Sequence, residues 1–94
     1  MDTALANLCK YVAVLAKSAD ETTRAEDRST YTKHLEAAAR LFVAAYLDRS
    51  AELEELVAGE RHAFGWGYLS GPPGKAAEHA FDEFAKTVES KHAA

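Results

Sequence analysis

The feature that most constrains this chain is a corner of eleven residues, 64–74, which reads Phe-Gly-Trp-Gly-Tyr-Leu-Ser-Gly-Pro-Pro-Gly. The corner holds both prolines, four of the five glycines and the only tryptophan. Glycine tolerates positive φ and proline cannot continue a helix, so such a cluster ends one helix and starts another. We expect Pro73 to lie in the first turn of the following helix. Positive φ is expected at three glycines, Gly65, Gly67 and Gly71.

On either side of the corner, apolar residues recur at the three- and four-residue spacing of amphipathic helices, and no segment alternates as a strand does. The predicted segments are Thr3 to about Ala19, a second ending near Asp48, Ala51 to His62 or Phe64, and Gly74 to about Ser90. The chain is short enough to form one domain, spanning residues 1–94. The pattern predicts an all-α fold, a small antiparallel helical bundle of three to four helices.

The first segment has a clear apolar face, with the tyrosine Tyr11 at its edge. The predicted face contains Leu5, Leu8, Cys9, Val12, Leu15, Ala16 and Ala19. We interpret Cys9 as a small core hydrophobe. As the only cysteine in the chain, it allows no intrachain disulfide and no multi-cysteine metal site, and it fits a reducing, cytoplasmic location.

Two connections between helices are ambiguous in the sequence. Residues 18–30 are polar and predict a loop, in which Ser18-x-x-Glu and Thr23-x-x-Glu both match a capping box. Residues 48–50 interrupt the second apolar stripe, so that one long helix bends there or two helices are separated. Ser50 followed by acidic residues resembles a helix start and favours a break.

Residues 41–47 of the second helix are apolar on every side of the helix. The main stripe of this helix is predicted to contain Tyr31, Leu35, Ala38, Ala39, Phe42, Ala45 and Tyr46. A segment that is hydrophobic all round is buried all round, either by the other helices of its own chain or by a second chain. The second alternative predicts a subunit interface at Leu41, Val43, Tyr46 and Leu47.

Glu60 falls in the middle of the apolar stripe of the third helix, beside Leu53, Val57 and Phe64. A carboxylate on such a face must be paired or hydrogen-bonded when it is buried. It can serve a purely structural role or contact a ligand. Continuing the register of the second helix places Arg49 on the apolar face of that helix, and the aromatic corner follows one turn after Glu60. The ligand-binding residues that this arrangement predicts are Glu60, Phe64, Trp66, Tyr68 and Arg49.

The overall composition argues against several kinds of partner. The chain is 48% hydrophobic and 28% charged, with a formal net charge of −4. This balance disfavours nucleic acids and anionic membrane surfaces as partners, because both select basic faces. No apolar run is long enough for a transmembrane helix, and the amino-terminal residues do not resemble a signal peptide. No spacing of histidine, cysteine and carboxylate residues indicates a metal site, and no motif indicates a cofactor.

These observations favour a small protein that works through protein–protein interaction or self-association, of the adaptor, inhibitor or regulator type. A homodimer or a complex with another protein is the expected assembly. The alternative is a small-molecule-binding bundle with a pocket near Glu60 and Trp66. An enzyme is the least favoured class, because no nucleophile and no acid–base pair can be assembled from the motifs.

Overall fold

The computed structural model describes residues 3–65, 69 and 71–93, which form four helices with no strand among them. The helices are α1 (Thr3–Glu21), α2 (Ala25–Tyr46), α3 (Ser50–Gly65) and α4 (Gly71–Ala93). They pack against one another, which confirms the prediction of a small all-α bundle.

Contacts between helices show that neighbours run in opposite directions. Asn7 near the start of α1 donates to Thr87 near the end of α4, and Tyr11 further along α1 meets Phe81 earlier in α4. α1 packs on α2 and α4, whereas α3 packs mainly on α2 and less extensively on α4. α1 and α3 therefore lie diagonally across the bundle. Short connections favour this succession of antiparallel neighbours.

The buried face of α4 is a regular stripe of residues three and four apart. Its buried side chains are Ala77, Phe81, Phe84, Ala85 and Val88. α1 differs from its predicted face, because its buried side chains are Ala4, Leu8, Tyr11 and Leu15. The prediction that Cys9 is a core residue is wrong, since Cys9 is exposed. Burying Tyr11, which finds a partner for its hydroxyl inside the bundle, rotates the helix and turns Cys9 outward.

α2 is rotated in the same way relative to the predicted stripe. Its buried residues are Tyr31, His34, Ala38, Leu41 and Ala44. Phe42 and Tyr46 were expected on the core face, but both are exposed. The loop predicted for residues 18–30 is also largely helical, since α1 continues to Glu21 and α2 begins at Ala25. Neither predicted capping box starts α2, because its N-cap residue is Arg24, without a side-chain cap.

The junction between α2 and α3 is a break between two helices, which is the alternative that the polar residues 48–50 favoured over one bent helix. Asp48 has a φ of 55°, the only positive φ at a non-glycine residue in the described part of the chain. The amide of Arg49 donates to the carbonyl of Ala44 at 2.9 Å, which closes the end of α2. α3 then begins at Ser50 and reverses direction.

The corner is described only in part, because Trp66, Gly67, Tyr68 and Ser70 lie outside the described residues. Of the glycines predicted to take positive φ, Gly71 does so, with a φ of 77° at the start of α4. Gly65 does not, since it ends α3 in helical conformation. Both prolines lie in the first turn of α4, as predicted for Pro73.

The close approach of Gly74 to Leu69 gives a stability prediction with an internal control. A Cβ at position 74 would lie 2.5 Å from the backbone oxygen of Leu69, so Gly74→Ala is expected to lower the free energy of unfolding by about 1–3 kcal/mol. Gly59 has open space at its Cβ position, so Gly59→Ala should instead raise it by about 0.5–1 kcal/mol. Urea denaturation of both variants measures the difference. Equal effects would contradict the close approach.

Candidate functional site

A buried carboxylate on α3 bridges α1 and α2. One oxygen of Glu60, Oε2, accepts a hydrogen bond from the hydroxyl of Tyr11 at 2.9 Å. The same oxygen lies 2.9 Å from Nδ1 of His34. Three helices therefore each contribute one polar side chain to a single cluster, which we call the Tyr11–His34–Glu60 triad.

The triad satisfies the condition for burying a charged group. Glu60 is only 8% exposed, and Tyr11 and His34 are buried as well. Burying a neutral polar atom without a hydrogen-bond partner lowers the stability of the fold by about 1–3 kcal/mol, and burying an unpaired charge lowers it by more. Within the described residues, every buried side-chain nitrogen and oxygen has a partner. The phenol of Tyr11 reaches the carboxylate across the diagonal between α1 and α3.

The environment of Tyr11 keeps its hydroxyl protonated. Burial raises the pKa of Tyr11 well above its ordinary value, and the negative charge of Glu60 and the hydrogen bond to it raise it further. Because the pKa is higher in the folded chain, the phenol's contribution to stability is fully present below about pH 10. That contribution declines as the pH rises from there toward the folded-state pKa. An ionised carboxylate only accepts, so the contact with His34 requires a proton on Nδ1.

Aromatic rings enclose the triad on the side of α4. Phe64 stacks on the imidazole of His34, with ring centroids 4.6 Å apart and an interplanar angle of 25°. Phe81 lies 5.4 Å from both Phe64 and Tyr11, measured between centroids. The carboxylate thus sits against a wall of stacked rings, which limits the water that reaches it from that side.

A cavity of about 360 Å³ borders the triad on its other side. Its lining residues are Thr30, Lys33, His34, Glu60 and Ala63. Lys33 is exposed, whereas His34 and Glu60 are buried, so the cavity runs from a cationic rim to a polar wall. Such a mixture of polar and apolar lining can hold a small polar molecule.

Arg61 joins α3 to α4 beside the triad. Its guanidinium lies 3.1 Å from Asp82 and donates two hydrogen bonds to Glu89, at 3.0 and 2.8 Å. It also stands over the ring of Phe81, 5.8 Å from the centroid. The hydrogen bonds from Arg61 lower the pKa of Glu89. This bidentate pair links α3 to α4 at the surface, beside the stacked rings of Phe64 and Phe81.

The structure brings together only some of the predicted ligand-binding residues. Glu60 and Phe64 lie one turn apart on α3 and both contact His34. Arg49 does not join them, because it precedes α3 and pairs with Glu52 at 3.6 Å. Along the helix axis, Arg49 lies about 16 Å from Glu60. Trp66 and Tyr68 lie outside the described residues.

Two residues of the triad were not among the predicted site residues. Tyr11 was placed at the edge of the α1 stripe, and His34 was not assigned to a face. A signal for His34 exists in the sequence, since it lies three residues after Tyr31 and four before Ala38. Both of these neighbours are core residues, so the spacing places His34 on the core face as well.

The second predicted site, at the end of α2, divides into a buried and an exposed part. Leu41 is fully buried in the core of its own chain and is not available to a partner. The exposed fractions are 49% for Val43, 70% for Tyr46 and 49% for Leu47. Phe42, which was not predicted to lie there, is 42% exposed and stacks on Tyr46 with centroids 6.2 Å apart. We call Phe42, Val43, Tyr46 and Leu47 the α2 apolar surface.

Comparison with models of protein families, with curated proteins and with solved structures gave no match to this chain. Within the described residues, no helix is long and apolar enough to cross a membrane. In the same part of the chain, no three or more histidine, cysteine or carboxylate side chains are grouped to hold a metal ion. The features of the described residues that bear on function are the triad, its cavity and the α2 apolar surface.

Proposed function

We propose that this protein acts by binding another protein chain through the α2 apolar surface, in the role of an adaptor, inhibitor or regulator. The observation that supports the proposal is the joint exposure of Phe42, Val43, Tyr46 and Leu47 at one end of one helix. These four are the large hydrophobic side chains that stand exposed in the described part of the chain, and they are contiguous.

The size and type of these side chains favour a protein partner over simple exposure. Single exposed hydrophobic residues are common, but a cluster rimmed by charged residues marks an interaction site. Fully burying such a side chain contributes about 1.5–3 kcal/mol, and aromatic residues dominate binding hot spots. Arg40, Asp48 and Arg49 are exposed and supply a charged rim.

The first case to test is self-association, in which the bound protein is a second copy of this chain. We expect the chain, of 10.2 kDa, to show twice that molar mass in light scattering at high concentration. Val43→Glu should return it to a single chain, because the substitution places a charge in the contact. Ala58→Glu introduces the same charged residue at an exposed position of α3 and should leave the molar mass unchanged.

Melting temperatures separate this effect from misfolding. Val43 is half exposed in the single chain, so Val43→Glu should unfold at nearly the temperature of Ala58→Glu when both are dilute. A wild-type chain that stays monomeric from about 1 μM to about 1 mM, the range of moderate to weak affinity, would overturn self-association.

A second candidate function is binding of a small molecule in the cavity beside the triad. The supporting observation is that the cavity reaches the buried carboxylate of Glu60 and the imidazole of His34. A bound molecule should raise the melting temperature, and Lys33→Ala should reduce that rise while Lys17→Ala, on α1, should not. If no molecule in a panel of small polar compounds changes the melting temperature or the tryptophan emission, small-molecule binding in this cavity is overturned.

A further inference from the structure

The cavity beside the triad is bordered by a hydrogen-bond acceptor that the triad itself leaves unused. Both hydrogen bonds that described residues make to Glu60 end on the same oxygen, Oε2. The other oxygen, Oε1, accepts none from the described residues, although every buried side-chain oxygen in that part of the chain has a partner. Oε1 is therefore not enclosed by protein, and the opening that Glu60 borders is the cavity.

The imidazole of His34 is divided in the same way. Its Nδ1 contacts Glu60, and among the described residues no group is bonded to Nε2. Because no buried side-chain nitrogen described is without a partner, and His34 lines the cavity, Nε2 opens to the cavity as well. With the proton on Nδ1, a neutral imidazole presents the lone pair of Nε2, which accepts. A ligand group that fits both acceptors must be a donor.

The charge of Glu60 is not balanced by a lysine or arginine within the described residues. Its partners are a phenol and an imidazole, and the contact with His34 is an ion pair only when the imidazole is protonated. A buried carboxylate is most stable when a cation pairs with it and donors satisfy its oxygens. An ammonium group provides both, since it carries a positive charge and three N–H donors with no acceptor.

Lys33 places a positive charge at the rim of the same cavity. It is exposed, and within the described residues no carboxylate pairs with it. Its ammonium acts as a point charge on a flexible stem, so it can meet a carboxylate over a range of positions. The cavity, of about 360 Å³, is otherwise lined by the small side chains of Thr30 and Ala63, which suits a compact molecule. It thus has a negative inner end and a positive outer end.

We propose that this cavity binds a small amino acid, with its ammonium group at Glu60 and His34 and its carboxylate toward Lys33. The inference rests on the second candidate function, binding of a small molecule beside the triad, and it names the class of that molecule. An amine without an acid group lacks the contact with Lys33, and an acid without an amine brings negative charge toward Glu60. Each should bind more weakly than a molecule that carries both groups.

Calorimetric titration of the unmodified chain tests the ligand class without any substitution. Glycine, β-alanine and γ-aminobutyrate carry both groups at increasing separation, and the one whose length fits the cavity should bind. Propylamine lacks the carboxylate, butyrate lacks the amine, and γ-butyrobetaine keeps both charges but has no N–H donor. Butyrate and γ-butyrobetaine should bind about tenfold or more weakly than the best amino acid, because each lacks the charge-assisted hydrogen bonds to the inner end.

Substitutions at the two ends of the cavity locate the bound molecule. Lys33→Ala should weaken binding of the amino acid about threefold and leave propylamine unchanged, because only the amino acid reaches Lys33. Lys17→Ala, at an exposed position of α1, is the matched control and should change neither. Glu60→Gln keeps the shape of the side chain without its charge, so it should weaken both ligands about tenfold or more. Circular dichroism checks that this variant is folded, and the Lys33 comparison does not depend on it.

The outcomes separate this inference from the candidate function on which it rests. Butyrate that binds more tightly than every amino acid, and is weakened by Lys33→Ala, would overturn the ammonium site and leave small-molecule binding in the cavity standing. Equal binding of γ-aminobutyrate and γ-butyrobetaine would overturn the hydrogen bonds to Glu60 and His34, and with them the inference. An amino acid that binds but is weakened by neither substitution would lie elsewhere, which also overturns it. If no probe binds, the inference is overturned, whereas the candidate function fails only if the wider panel of polar compounds fails too.

Discussion

Replacing Glu60 with alanine is expected to lower the free energy of unfolding by about 3–5 kcal/mol, the cost of breaking a buried, hydrogen-bonded polar cluster. The substitution removes the acceptor shared by Tyr11 and His34, and both donors stay buried without a partner. A domain of this size has a total stability of about 5–15 kcal/mol, so the loss is a large fraction of it. Urea denaturation followed by far-ultraviolet circular dichroism measures the change.

Two further variants show whether the carboxylate itself is responsible. Glu60→Gln keeps the shape and one acceptor oxygen, so its loss should be smaller, about 1–2 kcal/mol. Glu55→Ala removes an exposed carboxylate from the same helix and should change stability by no more than about 0.5 kcal/mol. If Glu60→Ala costs no more than Glu55→Ala, the triad does not hold the bundle together.

The same variants address the two roles that the sequence left open for Glu60. If the carboxylate is purely structural, Glu60→Ala should lose stability, and no added molecule should raise the melting temperature of any variant. A ligand contact predicts that Glu60→Gln, which stays folded, loses the rise in melting temperature produced by a bound molecule. The two roles are compatible, because the carboxylate bonds Tyr11 and His34 and also borders the cavity.

The sequence predicted the helices better than it predicted their faces. α4 has apolar residues on one side only, so its stripe could be read directly, with Phe81 and Phe84 at its centre. α1 offers two adjacent apolar faces, one through Cys9 and one through Tyr11. Choosing between them depends on whether the hydroxyl of Tyr11 finds a partner, and that partner lies 49 residues away. Local periodicity has no access to such a contact.

The candidate site was partly predictable for the same reason. A carboxylate in an apolar stripe is visible within a few turns of one helix, and Glu60 was recognised in this way. His34 comes from another helix, 26 residues from Glu60 in sequence, and enters the site only when α2 and α3 pack together. The α2 apolar surface was recognisable from its composition. The composition could not show which of its residues face outward. That depends on how α2 is rotated about its axis to bury His34 and Leu41.

The second large effect is expected from Phe81→Ala, which should lower the free energy of unfolding by about 3–5 kcal/mol. Phe81 is fully enclosed, and its ring contacts those of Tyr11, Phe64 and Phe84 as well as the guanidinium of Arg61. Truncating it leaves a cavity where α1, α3 and α4 meet. The variant should unfold at lower urea concentration, measured in dilute solution so that the proposed self-association does not contribute.

Phe42→Ala is the matched control, because it removes the same ring from the α2 apolar surface, where 42% of the residue is exposed. In dilute solution it should cost clearly less stability than Phe81→Ala, because Phe42 is 42% exposed whereas Phe81 is 1% exposed. At high concentration it should weaken dimerisation, whereas the fraction of Phe81→Ala that remains folded should still pair. If the proposed function is right, Phe81 stabilises the interior and Phe42 contacts the partner. Equal losses of stability in the two variants would contradict this division, because they would mean that Phe42 is covered within its own chain.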